Sequence, residues 1–171
     1  MKHPSKLLTI ALLATTLSLA VGVPSFSDSP PASPSASPTL VAGDTEPTFY
    51  AEGIDGVVKH ITYPKGSSTV LLFFLSSCPA CHKMIPEWNL AFGRKPAGLQ
   101  VVGVLLDHET PGFFMATPIS FPVVRSPGGE FSKSFKISKV PMTLRIGPGG
   151  KVLSVDQGQI DPIHLGEIFR P

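Results

Sequence analysis

The run Thr69-Val70-Leu71-Leu72-Phe73-Phe74-Leu75 is apolar after its first residue, and beyond Ser76-Ser77 it meets Cys78-Pro79-Ala80-Cys81, which holds both cysteines of the chain. An unbroken apolar run of this length marks a strand covered on both faces. Proline suits the first position of a helix, where its missing N–H is no loss, so Pro79 opens a helix and leaves Cys78 at its head. Unpaired N–H groups and the positive end of the helix dipole favour a thiolate there. Cys78 is therefore the candidate nucleophile of a redox dithiol.

The regions ahead of this core have a different composition. Nineteen prolines are too many for one compact domain of 171 residues, and four of them (Pro30, Pro31, Pro34, Pro38) fall between Asp28 and Asp44 in a Ser/Pro/Ala-rich stretch. Residues 28–44 read as a linker. Residues 1–27 read as a secretory signal, with Lys2 and Lys6 ahead of an apolar stretch from Leu7 to Val23. Its length is near the lower limit of about 17 residues for crossing a bilayer, so the segment is expected either to be cleaved or to stay as an anchor. Membrane contact is expected only in the second case. No cysteine lies nearby to carry a lipid. The reading implies a periplasmic or otherwise extracytoplasmic protein. Without Lys2 and Lys6, twelve basic residues stand against twelve acidic ones, a balance that gives no argument for nucleic acid as a partner.

The domain is expected over residues 45–171. Phe49 to Ile61 reads as a hairpin around Asp55-Gly56, with Val58 and Ile61 on one side. Residues 79 to about 91 read as helix and Leu99 to Leu106 as a second buried strand. A helix near Glu109 to Ala116, a short element at Val123 to Arg125 and a helix from Glu130 to Phe135 follow. Thr143 to Ile146 and Val152 to Val155 form a hairpin around Gly147-Pro148-Gly149-Gly150. Asp161 caps a last helix with Pro162 just inside it. Strands alternating with helices before a terminal hairpin and helix give an α/β fold, a mixed sheet flanked by helices with an N-terminal hairpin in front.

The pair Cys78/Cys81 after a buried strand, Val140-Pro141-Met142-Thr143 before a later one, Asp55-Gly56 and Phe121-Pro122-Val123 together resemble the thioredoxin superfamily, and within it the exported TlpA/ResA group. The resemblance covers about Thr45 to Phe169. It implies a thioredoxin-like fold and an enzyme exchanging thiols and disulfides with protein substrates. Cys78 resembles the attacking thiol and Cys81 the resolving one, the two forming a redox-active disulfide. Val140-Pro141 resembles the cis-proline segment that pairs with substrate backbone, and Pro86 the proline of the active-site helix. No cofactor and no metal are implied, and a membrane electron donor is implied if the protein works as a reductant. Three positions depart from the pattern. Ser77 stands where the family carries tryptophan, Met84 where many members carry glutamate, and Leu72 where thioredoxin has a buried aspartate. Water, Glu87 or His82 would then have to move protons.

Other readings of the same residues stay open. Cys78 to His82 also fits C-x-x-C-H, the c-type haem attachment motif, with Met84, Met115 or Met142 as a further ligand. The cysteines could form a plain structural disulfide, although so tight a loop constrains the unfolded chain by only about 2 kcal/mol. Zinc lacks a second ligand pair. Copper would need His108 or His164. A non-enzymatic binding protein on the same fold is the remaining alternative. Asp107-His108-Glu109 reads as loop and helix-start chemistry, and Trp88, Phe92, Phe113 and Phe114 as core.

Overall fold

The computed structural model describes residues 39–171, so the expected signal segment and most of the expected linker lie outside the described residues. The first elements are a two-stranded antiparallel hairpin, β1 (Phe49–Glu52) and β2 (Val58–Ile61). A five-stranded sheet follows, built from β3 (Thr69–Phe74), β4 (Gln100–Leu105), β5 (Val123–Arg125), β6 (Met142–Ile146) and β7 (Val152–Gln157). Its strand order is β5-β4-β3-β6-β7. β3, β4 and β5 run parallel, whereas β6 pairs antiparallel with both β3 and β7, which makes the sheet mixed.

All six residues of β3 are buried, as its apolar run requires of a central strand. Because successive side chains point to opposite faces, this one strand serves two cores. Val70, Leu72 and Phe74 pack with residues of α1 (Pro79–Arg94), α2 (Phe113–Ala116) and α4 (Pro162–Ile168). Leu71 and Phe73 pack on the other face with Phe131 of α3 (Gly129–Ser134), Phe135 just after it, and the hairpin residues Phe49, Ala51 and Ile61. Among the described residues, no helix is long and apolar enough to cross a membrane.

Three local expectations are corrected. Val58 and Ile61 do not share a side of the hairpin: Val58 is 66% exposed and Ile61 is buried. They are three positions apart, and a strand alternates faces with a period of two. The helix expected from Glu109 is only Phe113–Ala116, because Gly112 sits at φ 77°, outside the right-handed helical region. α1 runs on to Arg94 with Pro86 inside it, past the expected end at Ala91.

At its N-terminal edge the described chain is packed ahead of Thr45. Leu40 is 2% exposed within the α3-side core. The Gly43 N–H donates to the Val152 carbonyl at 2.9 Å, the Val152 N–H to the Asp44 carbonyl at 2.8 Å, and Lys136 Nζ meets Asp44 Oδ2 at 2.9 Å. The β6–β7 turn is built close to this segment. Gly150, at φ 88°, lies against the Glu46 carbonyl so tightly that a Cβ there would collide with it.

Candidate active site

β3 delivers the dithiol. After Leu75 the chain turns, with the Cys78 N–H donating to the Leu75 carbonyl at 3.3 Å, and Cys78 becomes the N-cap of α1 with extended φ/ψ of −91° and 114°. Pro79 takes the first helical position as its fixed φ favours. An N-cap side chain accepts one of the orphan N–H groups of the first turn. Here the acceptor is sulfur: the Cys81 N–H donates to Cys78 Sγ at 3.4 Å.

The two cysteines are free thiols in unequal surroundings, Cys78 half-buried and Cys81 fully buried. Burial is the largest cause pushing the Cys81 thiol up, to about 12. Its hydrogen bond to the Cys78 side chain and the charges of Cys78 and Asp107 act in the same direction. Cys81 therefore stays protonated until something lowers the cost of its thiolate.

Val140-Pro141 stands at the same end of the sheet. The Val140–Pro141 peptide bond is cis, and the next residue, Met142, pairs with Phe73 near the end of β3. Pro141 is buried and its carbonyl accepts from the Gly158 N–H at 2.7 Å. Val140 is partly buried and packs on the same apolar cluster as Cys78. The fold thus gathers Cys78, Cys81, Val140 and Pro141 at one corner.

The surrounding residues bear on the other readings of the pair. Trp88 and Phe113 are core, and the Trp88 indole N–H donates to Thr143 Oγ1 at 3.1 Å. Met84 and Met142 are buried, and Met84 Sδ already accepts from the Ile160 N–H at 3.5 Å. With Cys81 shut into the α1-side core, the pair does not offer two surface sulfurs for attachment of a haem. Among the described residues, no group of three or more His, Cys, Asp or Glu side chains could hold a metal ion. His164 instead meets Asp156 Oδ1 at 2.7 Å, and Glu109 pairs with Arg125 at 3.3 Å.

One side chain that holds the active-site turn reads from the sequence only as loop chemistry. Asp107, just past β4, reaches the active-site turn: its Oδ1 accepts from the Ser76 N–H at 2.8 Å, and its Oδ2 from Ser76 Oγ at 3.0 Å, the Ser77 N–H at 3.2 Å and Ser77 Oγ at 3.1 Å. Burial works against ionisation of this carboxyl, but the bonds from Ser76 and Ser77 outweigh it and hold Asp107 below the ordinary carboxylate range. His82 reaches the same turn. A carbonyl can only accept, so the 2.7 Å contact between His82 Nε2 and the Ser76 oxygen is a bond donated by the histidine. The only sequence signal for Asp107 was its place at the end of a buried strand parallel to β3.

A mixed sheet with a dithiol at the head of its first long helix and a cis-proline segment beside it defines a protein of thioredoxin-like fold. The Redoxin family model matches residues 41–167, and the chain belongs to that family. It is 27% identical to sporulation thiol-disulfide oxidoreductase A of Bacillus subtilis over 127 residues, covering 70% of this chain and 76% of that protein. Thiol-disulfide oxidoreductase ResA of Bacillus thuringiensis is 25% identical over 132 residues, 75% of this chain and 76% of the relative. A solved structure described as thiol:disulfide interchange protein DsbE of Chlorobium tepidum superposes with a TM-score of 0.65 at 30% identity, covering 76% of this chain and 94% of the other. The two Bacillus relatives are thiol-disulfide oxidoreductases by name, and a Redoxin-family chain with a CPAC pair in this setting is built for the same chemistry.

Proposed function

We propose that the protein is an extracytoplasmic thiol-disulfide oxidoreductase that reduces protein disulfides. The observation that carries this reading is the asymmetry of the pair: Cys78 caps α1 and is reachable, while Cys81 is buried one turn on. The Cys78 thiolate attacks one sulfur of a substrate disulfide, so a Cys78–substrate bond forms, the substrate S–S bond breaks and one substrate thiolate leaves. Cys81 then attacks Cys78 Sγ and passes its proton to a departing thiolate or to solvent. The Cys78–Cys81 disulfide forms as the second substrate sulfur is released, and two electrons have moved from the protein to the substrate. Val140 and Pro141 supply the apolar, strand-like edge on which the backbone around the substrate cysteine lies.

Export rests on the residue 1–27 reading. Reduction outside the cytoplasm runs against an oxidising surrounding, so an electron donor at the membrane must return the pair to the dithiol. A Cys81→Ala variant tests the roles, since it stops the reaction at the mixed disulfide. Partner adducts that disappear on adding dithiothreitol and are absent from Cys78→Ala support the assignment, and adducts carried equally by Cys78→Ala overturn it. The direction is tested by equilibrium with glutathione, where a reductant lies below about −250 mV and an oxidant near −120 mV.

A further inference from the structure

The turn that presents Cys78 is held less by its own strand and helix than by one carboxylate from the neighbouring strand. Ser76 is 2% exposed, and its hydroxyl is shared between Asp107 Oδ2 and the Thr110 N–H, the latter at 2.8 Å. Ser77 stands where the resembled family carries tryptophan. It directs its backbone N–H and its hydroxyl to the same Asp107 oxygen. Four hydrogen bonds from two consecutive residues therefore converge on a single side chain immediately ahead of the attacking thiol.

We propose that Asp107 is the positioning residue of the dithiol: it fixes the Ser76-Ser77 turn that aims Cys78 and keeps a fixed negative charge behind the pair, so the reduction potential is set in part from β4. This rests on the oxidoreductase reading only for its purpose, since the potential of the pair is measurable without a protein substrate. A nearby anion disfavours thiolates and so favours the disulfide over the reduced pair. The structure agrees, because the Asp107 charge is among the causes that raise Cys81. The other charged or titratable groups around this corner are His82, bonded to the Ser76 carbonyl, His108 beyond the carboxylate, and the Glu109–Arg125 pair. His82 and Arg125 bear opposite charge to Asp107 when protonated, and neither takes any of its hydrogen bonds.

The test is the equilibrium of the oxidised pair with two glutathione molecules to give the dithiol and glutathione disulfide, measured for wild type and Asp107→Asn. Asparagine keeps one acceptor for the Ser76 N–H and removes the charge. The equilibrium is expected to move about tenfold toward the dithiol, which is about 30 mV for a two-electron couple, and alkylation of Cys78 at pH 7 is expected to become faster. A lowered melting temperature with potential and alkylation rate unchanged would make Asp107 a structural brace and overturn the proposal. Ser77→Ala guards against a variant that does not fold. It removes one hydroxyl donor from the carboxylate and leaves the charge less compensated, so both readouts should move the opposite way. No movement, or movement in the same direction as Asp107→Asn, overturns the proposal too. If Cys81→Ala traps no partner, the oxidoreductase reading fails while these measurements still decide the role of Asp107.

Discussion

Cys78 and Cys81 are three residues apart on one helix, yet one is half-buried at the N-cap and the other has no exposed surface. Because the thiolate is the reactive form and Cys81 is pushed up to about 12, iodoacetamide at pH 7 is expected to label Cys78 far faster than Cys81. Peptide mapping by mass spectrometry after short exposure checks this, and equal labelling would contradict it. A second single-residue dependence lies beneath the pair, where the buried Trp88 N–H has Thr143 Oγ1 as its acceptor. Thr143→Val keeps the shape and removes that acceptor. An unsatisfied buried donor costs about 1–3 kcal/mol, so urea unfolding should show a loss of that size. No change would mean the indole finds another partner. Both cysteines could be placed from the sequence because they sit on the strand-to-helix boundary, which local pattern fixes. Asp107 could not, since its partners are 30 and 31 residues away and depend on β3–β4 register.

At the scale of elements, the strands with continuous apolar runs and the helices with proline or aspartate at their heads lie where the sequence puts them. Asp161 caps α4 by accepting from the Ile163 and His164 N–H groups, both at 3.0 Å. Short elements were less legible. α2 is one turn long because Gly112, at φ 77°, keeps the chain before Phe113 out of the helical conformation. β2 shows Val58 to solvent because only one side of the hairpin meets the core. β4 contains a tight point: a Cβ on Gly103 would come within 2.7 Å of Phe121 Cε2 and 3.1 Å of Phe74 Cε1. Two aromatic rings fixed in the core cannot both retreat, so Gly103→Ala is expected to destabilise by about 1–3 kcal/mol. Thermal and urea unfolding both read this, and a neutral result would show that the rings repack.

At the scale of the whole molecule, the segment ahead of β1 ties the described domain together. Leu40 enters the core, Asp44 pairs with Lys136, and Glu46 is 5% exposed with Oε2 lacking a partner. Burial is the main cause that raises the Glu46 carboxyl from 4.5 to about 7; the Lys136 charge lowers it and the Asp44 charge raises it by less. The folded protein therefore holds a proton that the unfolded chain gives up above its ordinary value. The contribution from this group is complete below pH 4.5 and is lost as pH rises to about 7, an effect of at most about 3 kcal/mol. Urea unfolding of wild type and Glu46→Gln at several pH values isolates it. The difference between the two proteins should change over that window, and a constant difference would place the Glu46 proton elsewhere.

The amino-acid order determined the strand-then-helix frame and the location of both cysteines, whereas the pairing of Met142 with Phe73 is what brings Val140-Pro141 to the same end of the sheet. Apolar period, capping residues and proline act within a few positions of themselves, and they are written there to be read. Tertiary structure decided which thiol is buried, that Leu40 belongs to the core, and that Asp107 holds the turn before Cys78. Those outcomes join residues as far apart as Asp44 and Lys136, 92 positions along the chain. Only the pairing of strands and the packing of the two faces of one sheet bring such residues within hydrogen-bond reach.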